Sequence, residues 1–295
     1  MKHLVLVGAC YLDTILRQAP PAPPAIRALI PSSFVPHYPE EDSKLRATGI
    51  ESRRGGNCPN SLEVLQQLLD GRPDVRLYLV SCLPDRASPA AERVVSSFGA
   101  RSGVDFRHCI YRRGHAQAAS SYIIRSVASG SRTIVNYNDL PEMTTTEFAR
   151  IVDDFSPDDD AWWHFEGRIP DTTIECVRLL RRALPSSTVS VEVEKPGRPG
   201  LPELAAEADV VFYSRTWAEK HVSQRSNDEV EGDTFIAGML YSLACRPASQ
   251  DLSESLAFAV RLATLKVQRE GFDNLAADIE AGRRSPATDQ STALR

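Results

Sequence analysis

Strand-like and helix-like segments take turns along residues 3–213, and this alternation restricts the chain more than any other feature. His3–Ala9 is a short apolar run, followed by Cys58–Asp70 with helical spacing, Asn57 as its N-cap and Gly71 as its stop. Arg76–Leu83 reads as a strand and Pro89–Phe98 as a helix. Further on come helix Thr144–Phe155, strand Ala161–Phe165, helix Asp171–Leu184, strand Thr188–Glu194, helix Leu201–Glu207 and strand Val210–Tyr213. One strand per helix predicts an α/β fold, a doubly wound and mostly parallel sheet with helices on both faces. Three alternating runs, Phe106–Arg112, Ala119–Arg125 and Arg132–Asn138, are separated by polar or glycine-rich turns and predict a small antiparallel lid.

Beyond Tyr213 the alternation stops. Thr216–Val222, Phe235–Cys245 (opened near Asp233) and Ser253–Glu270 read as helices, with a polar link at Ser223–Glu229. Roughly eighty residues thus carry no strand pattern, so the sheet ends early or has lost a part. Gln18–His37 is rich in proline and reads as an extended or disordered insertion. The expected organisation is one domain over residues 1–273, its lid drawn from about 14–53 and 106–138, and a polar, disordered tail over 274–295.

Composition narrows the function classes. A formal charge of −5 gives no basic face for nonspecific nucleic-acid binding. No stretch is long and apolar enough to span a bilayer, and Leu4–Cys10 is too short for a secretory leader. Six cysteines without a C-x-x-C pair suit reduced thiols in the cytoplasm rather than a disulfide framework or a zinc site.

Several motifs carry chemistry. Gly232-Asp233-Thr234-Phe235 opens an apolar helix, so free backbone amides that can hold a phosphate lie beside a carboxylate that can take a proton. In Arg54-Gly55-Gly56-Asn57-Cys58-Pro59-Asn60, two glycines admit a ligand close to the backbone and two asparagines share one side of the next helix start. A glycine turn with an asparagine cap explains that motif equally well. Asp13 follows the first strand, where ligands collect in open parallel sheets, although a solvated loop aspartate fits too. Glu166, Glu192 and Glu194 fall at strand ends and read either as water-mediated contacts to Mg²⁺ or, preferably, as charge-paired structural carboxylates. His164 and Glu166 share a strand face without a third ligand, so no direct metal site is expected.

Taken in order, Gly8–Asp13, Arg54–Asn60, Gly130–Ile134, His164–Arg168, Val189–Pro196 and Gly232–Phe235 resemble the ribokinase-like (PfkB) carbohydrate kinases, and within them the ketohexokinase group. The resemblance runs from residue 3 to about residue 273 apart from the proline-rich insertion. It implies a sugar kinase that transfers a phosphoryl group from ATP, with Mg²⁺, to a hydroxyl of fructose or a related ketose. Asp233 would be the general base, and Asp13, Gly56, Asn57 and Asn60 would hold the sugar. Gly232 and Arg132 would meet the phosphates, and the lid would offer a homodimer surface. Two departures stand out. Val230 and Glu231 occupy the first two positions of the family's Gly-Ala-Gly-Asp signature. Only Val222–Val230 stands where that family places strands and nucleotide-binding loops, which implies a truncated nucleotide-binding part and an impaired variant as the alternative. A lid-mediated dimerisation module is the third reading.

Overall fold

The structure, a computed structural model, describes residues 1–17, 41–42, 44, 47, 49–125, 132–214, 216–217, 232–246, 251–269 and 271–284. Its strands are β1 (Lys2–Val7), β2 (Tyr11–Arg17), β3 (Gly49–Gly55), β4 (Val75–Val80), β5 (Cys82–Leu83), β6 (Val104–Asp105), β7 (Ile110–Tyr111), β8 (Ser120–Arg125), β9 (Arg132–Tyr137), β10 (Asp160–Glu166), β11 (Thr188–Val193) and β12 (Val210–Tyr213). The helices are α1 (Asn57–Leu68), α2 (Pro89–Ser96), α3 (Thr145–Val152), α4 (Pro170–Ala183), α5 (Leu201–Ala206), α6 (Gly232–Cys245), α7 (Leu252–Val267) and α8 (Leu275–Arg284).

Six strands form a sheet in the order β12-β11-β10-β1-β4-β6, and every neighbouring pair is parallel. Alternation along β1 feeds two cores. Leu4 and Leu6 join the cluster beneath α1, α6 and α7, while Val5 and Val7 join the cluster beneath α3, α4 and α5. Each fully buried leucine or valine contributes about 1.5–3 kcal/mol by leaving water. Local chemistry sets the helix starts. Thr144 and Glu147 form a reciprocal capping box on α3, and Ser88 accepts from the Ala91 amide ahead of Pro89 on α2.

The doubly wound parallel sheet stands as the sequence predicts, but four details differ. Helix α1 begins at Asn57 and ends at Leu68, with Gly56 rather than Asn57 as its cap. Gly56 has φ +109, and a Cβ there would lie 2.2 Å from the Ala9 carbonyl oxygen, so only glycine lets the loop after β1 pass so close. The lid is a four-stranded sheet, β3-β2-β8-β9, whose outer pairs are antiparallel and whose central pair β2–β8 is parallel. Residues 106–112 are not part of it, since Ile110–Tyr111 pairs with Cys82–Leu83 in a separate two-stranded sheet. Finally, the expected tail contains α8, whose Leu275 and Ile279 are buried in the core beside α1 and α7. An apolar pair four residues apart anchors it.

The proline-rich segment 18–37, residues 218–231 with Val230 and Glu231, and residues 285–295 lie outside the described residues. Among the described residues no strand follows Tyr213.

Helices α6 and α7 cross closely at Gly238, where an added Cβ would sit 2.8 Å from the Ala259 Cα. The Gly238→Ala protein is expected to lose about 1–3 kcal/mol of stability in urea denaturation through this overpacking. An unchanged midpoint would show that the two helices can part at no cost.

Candidate active site

A cleft of about 1130 Å³ opens between the carboxyl ends of the central strands, the lid, and the starts of α1 and α6. Asp13, Gly56, Asn57, Asn60, Arg132, Glu192, Glu194, Gly232 and Asp233 all line it. The tenth expected residue, Glu166, does not. It faces a neighbouring narrower cavity, where its Oε2 accepts a 2.8 Å hydrogen bond from the Ala9 amide.

Helix α1 places both asparagines by its three-residue spacing. Asn57 Nδ2 donates to Glu192 Oε1 at 2.9 Å, and Asn60 Nδ2 donates to Asp233 Oδ2 at 2.8 Å. Each carboxamide therefore spends one amide hydrogen on a carboxylate and keeps a second. Ser61 adds a 3.0 Å bond from its hydroxyl to the Asp233 carbonyl, fixing the first turn of α6 against α1. Asp233 lies in that first turn, where a helix's N–H groups lack intrahelical partners and its positive end favours anions.

Asp13 comes from β2, within the lid, rather than from a loop after β1. It is 9% exposed, and its Oδ1 has no hydrogen-bond partner among the described residues. Burial raises its pKa, while a hydrogen bond from Ser121 and the nearby Arg53 and Arg132 hold it down. Ser121 in turn accepts from Asn136 Nδ2 at 2.9 Å. Arg132 stands exposed on β9 across from Arg125.

Glu166 and Glu192 are direct neighbours in the register of β10 and β11. Neither has an ion-pair partner among the described residues, which corrects the expectation of charge-paired structural carboxylates. Burial first, then Asp233 and the flanking glutamates, push the Glu192 carboxyl up to about 8. Burial, partly offset by the Ala9 amide, takes Glu166 up to about 7. Glu192 Oε2 is buried without a hydrogen-bond partner among the described residues. Among the described residues no group of three or more histidine, cysteine or acidic side chains is arranged to hold a metal directly. His164 is instead a buried neutral imidazole bonded to Ser190 at 2.9 Å, its pKa taken by burial down to about 3.

Two residues at the site have no role assigned to them from sequence. Arg54 is buried beneath Asn60, and Ser121 supports Asp13. Arg54 was visible beside the paired glycines. Ser121 gave no signal, because its role depends on the parallel β2–β8 pairing.

Known proteins share this architecture. Ribokinase from Thermotoga maritima superposes with a TM-score of 0.66 at 13% identity, covering 96% of this chain and 99% of the other. Arabidopsis thaliana ribokinase, solved with ribose and ATP, gives 0.66 at 15% identity with coverage of 96% and 99%. The chain has the ribokinase-like fold. Mouse ketohexokinase is 27% identical over 329 residues, spanning 93% of this chain and 99% of the relative. The chain is a ketohexokinase homologue, similar to that enzyme over nearly its whole length. No protein-family model matches it.

The raised carboxyl at Glu192 has a measurable consequence. In the folded protein it keeps its proton up to about pH 8, and in the unfolded chain only to its ordinary value of 4.5. Its contribution to stability is therefore full below about pH 4.5 and is lost as pH rises toward about 8. Glu192→Gln is expected to raise Tm by several degrees more at about pH 8 than at about pH 5. An equal gain at both would show that Glu192 titrates normally.

Proposed function

We propose that this chain transfers a phosphoryl group from MgATP to a hydroxyl of fructose or a related ketose, with Asp233 as general base. The observation that carries the reading is the convergence of Asp13, the two asparagines and Asp233 on one cleft at the start of α6. Asp13 Oδ1 and Glu192 Oε2 are carboxyl oxygens without partners among the described residues, and a polyhydroxylated ligand, whose hydroxyls both donate and accept, supplies partners at several points of one small body. Asp233, oriented by Asn60, takes the proton from the attacking hydroxyl. The amides of Gly232 and Asp233 face the region where negative charge gathers as the phosphoryl group moves, and Arg132 extends the positive surface from the lid. The residues fit Mg²⁺ bound through water. Glu192, which would give up its proton beside the ion, has a carboxyl oxygen without a partner among the described residues, and Glu194 lines the same wall. Bound there, the ion would offset phosphate charge.

Kinase assays against a panel of ketoses test this reading. Asp233→Asn is expected to lower kcat by about 10²–10⁴-fold with the fold intact. Full activity in that variant would remove Asp233 as the base.

A second reading, a variant that holds sugar but lacks a working nucleotide site, also has support. The alignment with mouse ketohexokinase runs over 329 positions, more than the 295 residues of this chain, so the relative carries residues without a counterpart here. Calorimetry separates the two. Binding of both ATP and fructose supports the kinase, and binding of fructose alone supports the impaired variant.

The lid supports pairing with a second copy. Tyr122, Ile134, Val135 and Tyr137 are exposed on β8 and β9, and β9 is exposed along its whole length. Sedimentation as a dimer that dissociates on Tyr137→Lys would bear this out, and a monomer at micromolar concentration would count against it. The six unpaired cysteines suit a reducing cytoplasm.

A further inference from the structure

Beneath the asparagines lies a buried charge with no part in the reading above. The Arg54 side chain is 3% exposed. Its guanidinium bonds in three directions at once. Nε donates to Ser97 Oγ at 3.1 Å, Nη1 reaches Asn60 Oδ1 at 3.4 Å, and Nη2 is ion-paired with Glu63. The planar group also stacks on the Phe98 ring, 3.9 Å from its centroid. Glu63 lies one turn beyond Asn60 on α1, so the helix itself brings the two side chains to one face.

A buried ion pair of this kind is a poor source of stability, because desolvating two charges cancels most of their attraction. Its geometry serves another purpose. Asn60 has a carboxamide with an acceptor at one end and donors at the other. Arg54 approaches the acceptor end, and Asp233 receives from the donor end. With a fixed cation behind its oxygen, the carboxamide has one orientation, the one that presents N–H to Asp233. We propose that Arg54, held by Glu63 and Ser97, is a positioning residue that fixes the Asn60 carboxamide and, through it, the Asp233 carboxylate. Its kinetic consequence rests on Asp233 being the base, whereas its structural consequence does not. Lysine cannot replace it, since an ammonium on a flexible stem cannot bond Ser97, Asn60 and Glu63 in one plane while stacked on Phe98.

The test uses the full chain with ¹⁵N-labelled asparagine, the Asn60 carboxamide being assigned by its loss in Asn60→Ala. In the variant combining Arg54→Met and Glu63→Leu, an apolar pair replaces the ion pair, and the fold is expected to persist with little change in Tm. The Asn60 carboxamide signals are expected to move toward those of a free asparagine and to exchange about tenfold faster. Arg54→Lys, which keeps a charge beside Glu63, is expected to move the same signals and serves alone if the double variant unfolds. Unchanged signals in either folded variant would overturn the proposal.

In kinase assays, the Arg54→Met and Glu63→Leu variant is expected to lose about 10–100-fold in kcat, and adding Asn60→Ala is expected to cost little more. Independent, additive losses would show that Arg54 does not act through Asn60. If the unmodified chain phosphorylates no ketose, the proposed function fails, while the carboxamide signals still decide the role of Arg54.

Discussion

One hydrogen bond ties this molecule together where it matters, that from Asn60 Nδ2 to Asp233 Oδ2 at 2.8 Å. It joins residues 173 positions apart and brings the first turns of α1 and α6 face to face. With the Ser61 bond to the Asp233 carbonyl, it sets the distance between the two helix starts that form one wall of the cleft. Both helices can approach the sheet because their inner faces are apolar. Cys58, Leu62 and Leu65 of α1 and Ile236, Ala237 and Leu240 of α6 share one core with Leu4 and Leu6 of β1. Packing delivers the helices to the site, and the polar contact fixes their register within it.

The same place concentrates negative charge. Asp233 stands close enough to Glu192 and Glu166 to raise the proton affinity of both, and these two are side by side on adjacent strands. A core built for stability alone would not gather carboxyls in this way, and rule-breaking of this sort is expected where function is at stake. The charge is moderated from three sides. Asn57 and Asn60 donate amide hydrogens, the Ala9 amide donates to Glu166, and the start of α6 contributes the positive end of the helix. What is left over, Glu192 Oε2 and Asp13 Oδ1 without partners among the described residues, is the capacity to bind hydroxyl groups.

Much of the fold could be read from sequence, because period-two and period-3.6 patterns reflect burial on the two faces of a sheet and one face of a helix. All six strands of the central sheet except the two-residue β6 coincide with apolar runs. The lid was harder to see. Tyr11–Arg17 and Gly49–Gly55 are half-exposed and carry charged residues, so nothing in their composition announces strands that pair with β8 and with each other. Helix α8 was hidden by its polar surroundings, since only Leu275 and Ile279 mark its buried face. At the site, residues with distinctive chemistry in glycine-rich motifs were visible, namely Asp233, Asn57 and Asn60. Their bonding was not. Two asparagines read as sugar ligands prove also to be props for carboxylates, a relation that depends on contacts more than a hundred residues apart.

The central claim is that Asp13 and Asp233, brought together from the lid and from α6, act on one sugar. A crystal structure of the chain grown with fructose tests it most directly. The account predicts the ketose in the cleft, with a hydroxyl oxygen about 3 Å from the Asp233 carboxylate and another hydroxyl donating to Asp13. A sugar bound elsewhere, or one seated in the cleft with no hydroxyl near Asp233, would contradict it.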